Sequence, residues 1–200
     1  MNWLIIVVVL LVAVGPVLYL LPSASDKRLS ALRMQARKAG LNVKITHLPK
    51  LNPESHERVS AGGKTLETRV SCVAYQLPLG GSVRDVSDLV LLRIPDQPTV
   101  PVREVIPGWS LHPQSDQASW QQFAGDAATL EDLQSALAAF PQDALGCGLN
   151  DRFVTCYWRE KAKPESDAVA AIVKALTPLQ QDLRRRFGKS GVVSGPTHDG

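Results

Sequence analysis

Residues 3–21 read WLIIVVVLLVAVGPVLYLL, an apolar run of nineteen residues without a charged side chain. As an α-helix the run would be about 28 Å long, close to the ~30 Å hydrocarbon thickness of a bilayer. A helix also satisfies its own backbone hydrogen bonds, which a segment in lipid must do. The run therefore predicts a single membrane-spanning helix over residues 3–21.

A cleaved secretory signal and a buried core helix are the alternatives for this run. A signal peptide has a positively charged start and an apolar core of about 7 to 15 residues. This chain starts with Met1 and Asn2 and its apolar run is longer, although Ser23-Ala24-Ser25 is similar to a cleavage site. A core helix that is apolar on all sides needs apolar surroundings, which the rest of the sequence does not offer. We favour the membrane span and leave cleavage open.

The distribution of Lys and Arg around the run predicts its orientation. Five cations lie within twenty residues after the run and none before it: Lys27, Arg28, Arg33, Arg37 and Lys38. Because cytoplasmic flanks carry an excess of Lys and Arg, we expect the rest of the chain on the cytoplasmic side of the bacterial inner membrane. The odd number of cysteines, three, agrees with a reducing compartment.

Residues 25–40 predict a basic helix beside the membrane. Ser25 is suited to cap its N-terminus, and Gly40 is suited to end it. Four residues form its apolar face: Leu29, Leu32, Ala36 and Ala39. The five cations occupy most of the remaining circumference, so the helix can bind an anionic membrane surface through them. The alternative is a solvated helix whose charges only fix the topology.

Residues 41–187 predict one globular α+β domain, in which a mixed sheet is backed by helices, and residues 188–200 predict a disordered tail. Alternating or continuous apolar runs predict strands at residues 41–48, 66–77, 88–94, 144–150 and 152–158, with an edge strand at 102–106. The complete fold class is α+β, with a single N-terminal transmembrane helix followed by a cytoplasmic domain.

Two helices are predicted in the second half of the chain. Thr129 is suited to cap the first, and the second starts near residue 164. The second carries an apolar stripe: Val169, Ile172, Val173, Leu176, Leu179, Leu183 and Phe187. Pro178 predicts a kink or a new helix start within it, but the stripe stays in phase, so both halves should pack on the sheet.

Two pairs of residues allow more than one interpretation. Trp109 and Trp120 lie in or near a proline-rich region and are expected to cover the core; exposed together, they would instead be binding anchors. The predicted hairpin over residues 144–158 brings Cys147 and Cys156 near each other. We expect thiols that pack as small apolar groups, and a disulfide is the alternative.

No arrangement typical of catalysis or metal binding occurs in the sequence. His47, His56, His112 and His198 show no metal-ligand spacing, and GGKT at residues 62–65 lacks the first glycine of a phosphate loop. We therefore expect no catalytic residue, no cofactor, no metal ion and no nucleic-acid partner. An enzyme whose site is assembled from scattered residues is the alternative.

An apolar span that ends at Leu21-Pro22 is followed by Asp26-Lys27-Arg28 and a basic helix. Over residues 1–40 the chain thereby resembles the YajC-like family, the small single-pass accessory subunit of the bacterial Sec translocase. The resemblance implies a link to protein export. We predict a single-pass membrane protein that acts without catalysis as a tether, adaptor or assembly factor of a membrane complex. Its expected partners are the lipid bilayer and another membrane or cytoplasmic protein.

Overall fold

A computed structural model describes residues 3, 5–11, 23–59, 62–64, 66–81, 88–125, 127–161 and 167–187. After residue 22 the described chain contains four α-helices and seven β-strands. In chain order they are α1 (Ala24–Lys38), β1 (Asn42–Pro49), β2 (Arg69–Pro78), β3 (Leu89–Arg93), β4 (Glu104–Ile106), β5 (Trp109–Leu111), α2 (Gln117–Phe123), α3 (Ala127–Ala138), β6 (Ala144–Leu149), β7 (Phe153–Trp158) and α4 (Ala168–Phe187). The predicted tail over residues 188–200 lies outside the described residues.

The predicted transmembrane helix requires a correction. The described residues of the N-terminal run, Trp3 and residues 5–11, are helical and exposed, while residue 4 and residues 12–21 lie outside the described residues. In the described part of the chain, no helix is both long and apolar enough to cross a membrane. A span needs about 20 consecutive apolar residues in one helix, so the fold class with an N-terminal transmembrane helix is wrong on this finding.

The strands form one sheet in the order β1-β2-β7-β6-β3-β5-β4. Every described strand pair is antiparallel, so the prediction of a mixed sheet is also wrong. Short turns join β4 to β5 and β6 to β7, and turns of this length can connect only antiparallel strands. In the first of these turns Gly108 has φ 79°, a conformation that favours glycine.

Helix α1 begins at a different cap from the predicted Ser25. Ser23 Oγ accepts a hydrogen bond from the backbone N–H of Asp26 at 3.1 Å, and the Asp26 carboxylate accepts one from the Ser23 N–H at 3.1 Å. This reciprocal capping box requires an acidic or amide side chain three residues after the cap, which Ser25 does not have. Gly40, with φ 85°, follows the helix as predicted.

Helix α4 packs against β2, β7 and α3, and helix α1 packs against β1. The predicted stripe of α4 lies in the core: Val169, Ile172, Leu176, Leu179 and Leu183 are buried, with Val173 and Phe187 packed at its margin. The helix is continuous through Pro178, which is exposed, as is Lys174 one turn earlier. Water can therefore reach the carbonyl that the proline leaves without a donor, and the predicted restart is wrong.

The two tryptophans are buried, which confirms that they pack in the core. Trp109 belongs to β5 and lies edge-on to Phe140, with ring centroids 6.1 Å apart. Trp120 belongs to α2, which Asp116 caps through hydrogen bonds from the backbone N–H groups of Ala118 and Ser119. The sequence pattern predicts neither element.

The hairpin of β6 and β7 is confirmed, and Cys147 faces Cys156 across it as a free thiol. Tyr157 of β7 lies over two glycines of β6. A Cβ atom on Gly148 would lie 3.0 Å from Tyr157 Cε2, and one on Gly146 would lie 2.7 Å from the Leu91 carbonyl oxygen. Gly148 thus leaves room for the Tyr157 ring, and Gly146 allows the backbone of β3 to approach closely.

Candidate functional site

Helix α1 has an inner face that packs in the domain and an outer face that is exposed. Leu32 and Ala36 are buried on the inner face. The outer face carries Met34, whose side chain is 54% exposed. Four exposed cations are spread around the part of the helix that faces away from the core: Lys27, Arg28, Arg37 and Lys38. We call these four residues the cationic face.

Arg33, the fifth cation predicted to contact a membrane, has a different environment. Its Nε donates hydrogen bonds to both carboxylate oxygens of Glu160, at 3.0 and 3.1 Å, and its Nη2 also contacts this carboxylate. Tyr75 Oη donates a further hydrogen bond to Glu160 Oε1 at 2.6 Å. The Glu160 side chain is 5% exposed, so this is a buried, charge-assisted contact.

The electrostatics of this contact keep Arg33 and Tyr75 in the protonation states that the hydrogen bonds require. The hydrogen bond to Glu160 raises the pKa of Arg33, which stays cationic. Burial, followed by the hydrogen bond to Glu160, raises the pKa of Tyr75, which stays a hydroxyl donor. Arg33 therefore attaches α1 to β2 and to the residues after β7.

The cationic face remains available for an external partner. Among the described residues, none of its four side chains forms an ion pair. A shallow groove of about 690 Å³ runs along α1, and its lining includes Lys27, Met34 and Lys38 together with one acidic residue, Asp26. Cations around an exposed thioether suit a ligand surface that is anionic but also has apolar parts.

A second exposed surface lies in the N-terminal run. The side chains of residues 5–11 are aliphatic and all are exposed. Exposed apolar groups in a contiguous stretch are typical of a contact with a membrane or a protein.

The other basic cluster of the sequence, Arg184 to Arg186, makes contacts within the domain. Arg184 Nε donates to the Leu79 carbonyl, and Arg185 and Arg186 each form an ion pair with Asp182 at 2.7 Å. A groove of about 580 Å³ between α3 and α4 lies beside these pairs. Arg185 and Arg186 also contact Asp132 of α3, at 3.9 and 3.2 Å, so the three arginines join α4 to its neighbours.

The histidines and acidic residues do not form a recognisable reaction centre in the described part of the chain. His47 and His56 are exposed, His112 accepts a hydrogen bond from the Gln114 N–H, and His198 lies outside the described residues. No three His, Cys, Asp or Glu side chains among the described residues are grouped so that they could hold a metal ion. The expected absence of a metal ion and a cofactor stays a prediction.

The three thiols are poor candidates for nucleophiles. Cys72, Cys147 and Cys156 are all buried and free. Burial raises the pKa of Cys72 to about 11 and that of Cys147 to about 12, and it also raises the pKa of Cys156. Since the thiolate is the reactive form, these side chains are inert at neutral pH.

We expect a thiol reagent such as DTNB to leave the folded protein almost unmodified at pH 8 and to modify three thiols per chain in denaturant. The physical reason is the combination of burial and raised pKa. Absorbance of the released thionitrobenzoate measures both quantities. Rapid modification of one thiol in the folded state would contradict the structure and would favour a nucleophilic cysteine.

Sequence reasoning found the cationic face but placed Arg33 with it. The available signal was helical geometry, because Arg33 lies one position from Leu32 and three from Ala36, at the margin of the buried stripe. Glu160 gave no signal of its own, since nothing in the sequence indicates which helix lies above it.

No protein-family model matches this chain, and no curated protein matches it. Among solved structures it is similar to the crystal structure of the mycobacterial trehalose monomycolate transport factor A, TtfA, at 12% sequence identity and a TM-score of 0.40. The match covers 76% of this chain and 92% of that one. A likeness at this level assigns neither a fold family nor a function.

Proposed function

We propose that this protein acts without catalysis, as an adaptor or assembly factor that works at an anionic membrane surface. The observation that carries the proposal is the cationic face: four cations point out of the domain and have no ion-pair partner among the described residues. The link to protein export, implied by the resemblance of the N-terminal residues to the YajC-like family, is part of the same proposal.

Because α1 is firmly attached to the domain, the position of the cationic face relative to the rest of the protein is fixed, as an adaptor requires. Leu32 and Ala36 pack in the core, and the ion pair between Arg33 and Glu160 fixes the rotation of the helix. A surface that binds the cationic face therefore orients the whole domain.

The expected strength of the contact is modest. Each Lys or Arg near an anionic leaflet contributes about 1 kcal/mol, and the attraction falls off over about 10 Å at 0.1 M salt. Four cations thus supply at most roughly 4 kcal/mol, which gives weak and reversible binding. The exposed aliphatic side chains of residues 5–11 provide a second, salt-independent contribution.

Replacing Arg37 and Lys38 by Gln is expected to weaken binding of the full chain to phosphatidylglycerol vesicles roughly 30-fold at low salt, because about 2 kcal/mol is lost. Co-sedimentation measures the partition coefficient. The matched control replaces Arg103 and Lys174 by Gln, which removes the same charge from exposed sites elsewhere. Thermal unfolding should be nearly unchanged in both variants, since none of these side chains forms an ion pair in the described structure.

Two results would contradict the proposed function. Equal binding of the wild type to phosphatidylglycerol and to neutral phosphatidylcholine vesicles would show that charge does not direct the contact. An equal loss in the control variant would show that net charge, and not the cationic face, is responsible.

A further inference from the structure

Strand β1 forms one edge of the sheet and pairs only with β2 among the described residues. The pairing is continuous from Asn42 opposite Gln76 to Pro49 opposite Arg69, without a bulge. Its other side is therefore a regular edge that is eight residues long.

The hydrogen bonds identify which backbone groups point away from the sheet. The N–H of Lys50 donates to the Thr68 carbonyl at 2.9 Å, in register with the pairing of β1 and β2. In an antiparallel pair every second residue exchanges hydrogen bonds with the partner strand. The N–H and C=O groups of Val43, Ile45 and His47 therefore point outward, and no described group bonds to them.

This edge lacks most of the features that prevent strand addition. Proteins usually protect an edge by a bulge, a central proline or a short strand. In β1 the proline is the last residue, and Ile45, at the centre, is an aliphatic side chain that is 60% exposed. Lys44 is the one charged residue that could discourage pairing, and it repels only a strand of like charge.

The charge around β1 indicates which strand would pair with it. Residues 27–50 contain seven Lys and Arg residues and no Asp or Glu. Acids from elsewhere pair with Arg33 and with Lys50, through Glu160 and Glu57. The cationic face and Lys44 remain without an ion-pair partner in the described structure. A second copy of β1 would meet the same positive charge, whereas an acidic segment would be attracted.

We infer that β1 binds an extended, acidic segment of a partner protein as an added strand. The segment would exchange hydrogen bonds with Val43, Ile45 and His47, place an apolar side chain beside Ile45 and direct its carboxylates toward Lys44, on the other side of the sheet. This goes beyond the proposed membrane contact, which does not use β1, and it can hold or fail independently of vesicle binding.

The test uses the full chain in the absence of vesicles, with ten-residue peptides in which Glu alternates with Val, Ile or Thr. A matched set has Lys in place of Glu. We expect the acidic peptides to bind by fluorescence anisotropy and to slow hydrogen exchange of the Val43, Ile45 and His47 amides. The lysine peptides should bind at least 10-fold more weakly, because their charge is that of the strand they approach.

Ile45→Pro removes the central outward N–H and leaves the bonds of β1 to β2 in place, so it should abolish peptide binding. Ile45→Thr, which keeps the N–H, should retain it. The exchange measurement on the wild type keeps the inference testable if the proline variant does not fold. Equal binding of both peptide sets, or unchanged exchange at the three amides, would overturn the inference. Self-association of the chain that Ile45→Pro abolishes would overturn it in favour of a second copy.

Discussion

Replacing Arg33 by Met is expected to lower the free energy of unfolding by about 3 kcal/mol. Removing one partner of a buried ion pair leaves the other charge uncompensated, which typically costs 3 to 5 kcal/mol. Glu160 would be that charge, with Tyr75 as its one remaining side-chain donor among the described residues. The Arg33 side chain is partly exposed, so the lower end of the range applies. Urea unfolding followed by tryptophan fluorescence measures the change.

Two further variants distinguish the loss of stability caused by breaking the ion pair from the loss caused by removing any cation. Arg28→Met removes an exposed member of the cationic face and should change the free energy of unfolding by less than about 0.5 kcal/mol. The double variant Arg33→Met with Glu160→Leu removes both charges and should recover part of the loss, because no unpaired charge stays buried. Equal effects of Arg33→Met and Arg28→Met would show that the pair contributes nothing to stability.

Leu176→Ala is expected to lower the free energy of unfolding by about 2 to 5 kcal/mol, a large share of the ~5 to 15 kcal/mol that a domain has. Leu176 is 0% exposed, in the middle of the α4 stripe and among residues of the main core. The removed methyl groups leave a cavity that a helix packed along its length cannot close. Thermal and urea unfolding of the full chain measure the loss.

Gln181→Ala is the matched control on the exposed side of α4 and should leave stability nearly unchanged. If Leu176→Ala left the unfolding transition in place but removed a bound partner, the stripe would be a docking surface. The burial of the stripe in the structure argues against that outcome.

Elements whose evidence is local could be predicted from the sequence. The stripe of α4 repeats every three to four residues over five turns, and the apolar runs of β3, β6 and β7 are bounded by turn residues. In these segments the spacing of the apolar residues itself shows which side chains face the core. The predicted bounds therefore agree with the observed ones to within a few residues.

Features that depend on distant parts of the chain could not be predicted in this way. Glu160 lies 127 residues from Arg33, and no spacing rule connects them. Strand β5 and helix α2 are three and seven residues long and lie within and just after a proline-rich region, where propensity indicates loops. They form because Trp109 and Trp120 bury large apolar surfaces, so tertiary packing determines their structure.

The position of β7 between β2 and β6 has a consequence for how the chain folds. Strand β7, which pairs with β2, is the last of the described strands to be synthesised, so the pair of β1 and β2 keeps a second open edge until residues 153–158 have left the ribosome. Contacts between residues so far apart in sequence raise the contact order. The entropy cost of closing the loop between them must be met before these contacts can stabilise the folded state. The sheet and the helix that covers it can therefore be completed only late in translation, after β7 and α4 have been synthesised.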